Sequence, residues 1–156
     1  MYDSTLLMLA NEVRGKTLRL LADVTEEQAR FTGHAGLKNS ILWHAGHSLY
    51  VVELLSVAPL TEKPPVHPSG FAEAFAPRGD PSKVAHWPTL AQVAAALQDQ
   101  LGRLSDLIRI TRPEKLDQVV DAERNRTLRY MVLHGLHDEA GHQGEIYLLK
   151  KLSARG

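Results

Sequence analysis

Seven of the eight prolines in this 156-residue chain lie between Pro59 and Pro88. Proline has no backbone N–H and its ring clashes with the preceding turn, so that segment cannot be one regular helix. Long helical patterns flank it. Ser4 to Ala22 carries Leu6, Leu9, Val13, Leu20 and Leu21 at helical spacing among charges, with Asp3 or Ser4 placed to cap it. Gly15 weakens the middle of this helix by about 1 kcal/mol relative to Ala. Thr25-Glu-Glu-Gln28 is a capping-box pattern that starts a short turn.

Gly33 to Asn39 reads as a loop. Asn39 or Ser40 then caps a second long helix, Ile41 to about Val57, apolar on most sides and so expected to be buried. A second capping box, Thr89-Leu-Ala-Gln92, opens a third helix to about Ile110. Thr111 to Glu114 suggests one more short turn, and Asp121 to Asn125 a polar loop. A fourth helix follows, from about Arg126 to Ser153. Strand patterns are absent. The expectation is one all-α domain over 1–156, a four-helix bundle with a long Pro-rich connection between the second and third helices.

Formal net charge is zero and the pI is about 7.1, so nothing calls for nucleic acid as a partner. There is no cysteine. That excludes a disulfide scaffold, thiolate metal ligands and a cysteine nucleophile, and leaves any metal to His and carboxylate. The stretch Met1 to Lys16 lacks the pattern of a signal peptide, and no apolar run is expected to approach the roughly 20 residues of a membrane span. A cytoplasmic location with no membrane partner is therefore expected.

The eight histidines are the compositional anomaly. In the fourth helix His134, Asp138 and His142 are spaced i, i+4, i+8. Each four-residue step turns the helix by only about 40°, so the three share a stripe on which neighbours can chelate one ion. His137 lies roughly 140° from His142 and cannot easily share a metal with it. In the second helix His44 and His47 are near-neighbours on one face. If that face meets the His142 stripe, one of them completes a three-ligand set with an open position, the arrangement of a catalytic site. Glu139 and Glu145 are candidates to orient a His from outside the ligand set. Trp43 and Trp87 read as core residues rather than a substrate cage.

Two segments carry a family resemblance. Ser40-Ile-Leu-Trp-His-Ala-Gly-His47 resembles the WHxxH stretch on the second helix of the DinB-like superfamily. His137-Asp-Glu-Ala-Gly-His-Gln-Gly-Glu145 resembles that superfamily's HExxHxGQ/E signature on the fourth helix. The resemblance spans nearly the whole chain. It implies an up-down-down-up bundle and a divalent metal, zinc or nickel with iron as an alternative, held by His44, Asp138 and His142. The superfamily most often has His where this chain has Asp138. His47 and His134 are the reserve ligands should Asp138 stand outside the set.

Family members of known activity are transferases and isomerases that use a low-molecular-weight thiol. The resemblance implies a thiol-dependent S-transferase acting on a small molecule, and the open position of a three-ligand site equally suits a hydrolase; in either case Glu139 or His134 is the expected proton acceptor and the 59–88 segment is expected to help cover the substrate. The competing expectation is a non-catalytic stress-response or binding module. Either suits a homodimer paired through an apolar bundle face.

Overall fold

The structure is a computed structural model and describes residues 1–154. Helix α1 (Ser4–Leu21) starts at Asp3, whose side chain accepts from the Leu6 amide. Both capping boxes form as the sequence suggests. Thr25 and Gln28 open the short α2 (Glu26–Arg30), and Thr89 and Gln92 open a later helix. Ser40 caps α3 (Ile41–Val52).

Here the chain departs from expectation. It passes from α3 without a break through a π-turn (Glu53–Val57) into α4 (Ala58–Thr61), so the helix outlasts Pro59. The turn is closed by the Ala58 amide donating to the Glu53 carbonyl, five residues back. That widened turn relieves the clash between the proline ring and the carbonyl four residues before it. The continuous Ile41–Thr61 helix is long and apolar enough to cross a membrane by length and composition, contrary to the sequence expectation. Its most apolar window is 78% buried inside the bundle, as expected of a core helix.

The Pro-rich segment holds a further short helix, α5 (Phe71–Phe75). Then come α6 (Leu90–Ile110), α7 (Pro113–Leu116) and α8 (Leu128–Ser153). Before α8 a small antiparallel hairpin pairs β1 (Val119–Asp121) with β2 (Arg126–Thr127), where a loop over Asp121 to Asn125 and the first residues of the fourth helix were expected.

Side-chain partners fix the topology. Along α1 and α8, Asp3 meets Arg129, Arg14 meets Glu139 and Lys150 meets the Leu20 carbonyl, so the two helices run parallel. His44 meets His142 while Ser56 meets the Val132 carbonyl, so α3 is antiparallel to α8. Gln100 reaches the Leu49 carbonyl and Arg103 reaches Glu53, so α6 is parallel to α3. The order is up-down-down-up.

The apolar core falls into two clusters. One gathers Leu21, Ile41, Leu42, Phe75, Leu97 and Ile146; the other gathers Leu6, Val52, Leu104, Ile108, Leu128 and Leu136. On each long helix a buried polar group separates them. Arg14 is 2% exposed and makes a two-pronged pair with Glu139, which is 0% exposed. Arg14 also donates to the Leu97 carbonyl and to Gln100, Thr17 donates to Glu139, and Gln100 continues to Glu53 and thence Arg103. A buried charge is tolerable only when paired and hydrogen-bonded in this way.

Candidate metal centre

The α3 and α8 helices bring the site together. The Ser40 hydroxyl accepts from the Trp43 amide at 3.1 Å and fixes the first turn of α3. His44 and His47 then face the bundle interior, 7% and 6% exposed. On α8 the expected stripe forms, and Asp138 and His142 lean toward α3.

The residues whose ligand atoms converge are His47, Asp138 and His142, all within 4.8 Å of one another. Asp138 Oδ2 lies 3.3 Å from His142 Nε2 and 3.9 Å from His47 Nε2. Tetrahedral bonds of roughly 2.0–2.1 Å would put donor atoms about 3.4 Å apart. The observed separations bracket that value from slightly below to somewhat wide. Asp138 Oδ2 is also buried and, among the described residues, has no hydrogen-bond partner. A buried carboxylate oxygen without a donor is costly, and a cation between the three groups would satisfy it. Two imidazole nitrogens and a carboxylate oxygen suit zinc or ferrous iron. The residues present fit a divalent metal.

Each imidazole of the group is anchored through its far nitrogen. His47 Nδ1 is 2.7 Å from the Phe75 carbonyl, so Nδ1 carries the proton and donates, which leaves the Nε2 lone pair for the cluster. His142 Nδ1 is 2.8 Å from His44 Nδ1. Were Nε2 of His142 to hold a metal, its Nδ1 would carry the proton and donate to His44.

His44, expected among the ligands, meets Nδ1 of His142, and it is His47 whose nitrogen joins Asp138 and His142 in the three-residue group. Three residues along a helix differ by about 60° in direction, and the approach of α8 decides which one faces the cluster.

The electrostatics favour the neutral form of His44 and His47 and the anionic form of Asp138. Burial, then the nearby charges of His142 and His47, push the His44 pKa down to about 4. Burial also lowers His47, against the opposing pull of the Phe75 carbonyl. Asp138 is held below its ordinary value chiefly by the His142 imidazole beside it, against desolvation.

Trp43 stacks on His47 with ring centres 4.5 Å apart and planes 11° apart, and meets His142 edge-on at 5.9 Å. Phe75 reaches the site because residue 46 is glycine. A Cβ there would lie 2.3 Å from the Phe75 ring. Gly46→Ala is therefore expected to cost about 1–3 kcal/mol by overpacking and to weaken metal binding by displacing the Phe75 carbonyl. Urea denaturation and chelator competition check the two effects; unchanged stability would refute the close approach.

The remaining sequence candidates lie elsewhere. Both carboxylate oxygens of Glu139 are taken by Arg14 and Thr17, on the side of α8 that meets α1, so it is not free to take a proton at the site. His134 stacks on Tyr130 at 5.7 Å, one turn from Asp138 and outside the three-residue group. Glu145 is exposed and lines a surface cavity together with His44. The Phe75 carbonyl escaped sequence reasoning. Gly46, between two ring-bearing turns of a buried helix, was the signal that something packs closely there.

Comparison with known proteins follows the same lines. The sequence model of the DinB superfamily matches residues 9–146. A crystal structure described as a conserved protein of locus from Enterococcus faecalis superposes with a TM-score of 0.77 at 14% identity, covering 100% of this chain and 99% of that one. At that identity the likeness speaks for the fold. A search of curated protein sequences gives no match.

Proposed function

The chain belongs to the DinB superfamily, and from that premise we propose that it is a metal-dependent enzyme in which His47, Asp138 and His142 hold a divalent ion that activates a small thiol, or failing that a water, as nucleophile. The observation that carries this reading is the unpartnered, buried Asp138 Oδ2 beside two Nε2 atoms. Three protein ligands leave a coordination position open. When bound, such an ion lowers the pKa of a coordinated thiol or water and supplies a nucleophile at neutral pH.

The chain's own residues prepare the site. The Phe75 carbonyl and His44 orient the two imidazoles. Trp43 excludes water from one side of His47. The carboxylate of Asp138 leaves the three-ligand set with one negative charge, which favours a dication.

Untagged protein is expected to purify with about one equivalent of a divalent metal. Cobalt-substituted protein should develop a sulfur-to-cobalt charge-transfer band when a low-molecular-weight thiol is added. A metal content far below stoichiometric after zinc or iron supplementation would refute the reading. Stoichiometric cobalt with no thiol band would move it to water as nucleophile and a hydrolase.

A further inference from the structure

Trp43 and Trp87, the only tryptophans of the chain, are half-buried and wall one cavity of about 250 Å³. They were expected in the core, and both do pack against it while leaving one side on the cavity and another on the scaffold of the candidate metal centre. Trp43 stacks on His47. Trp87 packs edge-on against Phe75, ring centres 5.9 Å apart, and it is the Phe75 carbonyl that holds His47. The cavity therefore shares its two aromatic walls with the metal centre.

Its lining is asymmetric in charge. Arg30 and Lys38 contribute to it, together with the polar Asn39 and the apolar Leu42, and among the described residues no carboxylate lines it. Arg30 is held by an ion pair with Glu26 at 2.7 Å and by the Pro88 carbonyl at 3.1 Å, so Lys38 is the lining cation with no carboxylate partner among the described residues. Flat apolar walls with an unbalanced cation select a flat apolar body bearing a negative group. The volume lies just below the roughly 300–1,000 Å³ of drug-sized sites, which confines the occupant to a small molecule.

We propose that this cavity binds a small organic anion with a planar apolar body, of the aryl carboxylate class, next to the metal centre. As a substrate subsite it rests on the metal-dependent reading above; as a binding site it does not.

Both tryptophans report on the cavity, so intrinsic fluorescence reads occupancy directly. Benzoate, titrated into metal-loaded and chelator-stripped protein, should give a saturable change. The neutral isostere benzamide should bind about tenfold more weakly, having lost its charge-assisted contacts. Lys38→Ala, an exposed substitution outside the metal centre, should weaken benzoate about fivefold and leave benzamide unchanged.

Equal binding of the two probes, an unsaturable response, or indifference of benzoate to Lys38→Ala overturns the proposal. A charge-selective response in stripped protein supports the cavity even where the metal reading fails. Its absence from protein carrying a full equivalent of metal overturns the cavity alone.

Discussion

Replacing His47, Asp138 or His142 with Ala is expected to abolish stoichiometric metal binding, whereas His44→Ala should leave a weakened site. The distinction follows from which nitrogen does what. His47 and His142 turn Nε2 toward Asp138 Oδ2, while His44 meets only the back of His142. Loss of an outer partner of this kind typically costs about 10–100-fold in metal affinity. Loss of one of three ligands costs more, and here it also leaves the remaining buried donors facing a hole. Competition against a chelator of known affinity, with metal analysis of each variant, ranks the four. Were His44→Ala to lose its metal as completely as His142→Ala, the assignment of His47 over His44 would be overturned.

The second large effect lies in the middle of the bundle. Glu139→Ala strands the Arg14 guanidinium in a fully buried site, and is expected to destabilise the fold by roughly 3–5 kcal/mol. For a chain of this size that corresponds to a melting temperature lowered by about 6–20 °C. The double variant Arg14→Met/Glu139→Leu should lose less than Glu139→Ala alone, because it removes both charges together. Glu139→Gln that still folds should keep its metal, since this side chain faces α1 and not the cluster. A stability loss below about 1 kcal/mol for Glu139→Ala would mean that water reaches Arg14, contrary to its burial.

Much of this was legible in the sequence because it is local. Capping boxes span four residues, and Thr25–Gln28 and Thr89–Gln92 form as written. The i, i+4 relation of Asp138 and His142 needs only helical geometry. The rest depends on contacts between distant positions. Phe75 meets His47 across 28 residues, and Arg14 meets Glu139 across 125. Hydrophobic periodicity marks which face is buried, not which buried polar groups find each other. Glu139 and His142 sit three residues apart on one helix, yet one belongs to the internal ion pair and the other to the metal group. Sequence alone could not decide between His44 and the reserve His47 for a related reason: both are buried, and only the packing of α8 separates them. The helix past Val57 was missed because proline is read as a stop, and the π-turn that accommodates it leaves no simple signature.

That π-turn also insulates one part of α3 from another. An extra residue in a continuous α-helix rotates everything beyond it by about 100°. Here the surplus is absorbed between Glu53 and Val57, after the histidines and before Pro59. The half that carries His47 and the half that carries Pro59 consequently keep separate angular phases on one unbroken rod. The turn works as a fixed phase offset, which seats Pro59 in the same rod while the donor atoms upstream stay aimed at one another.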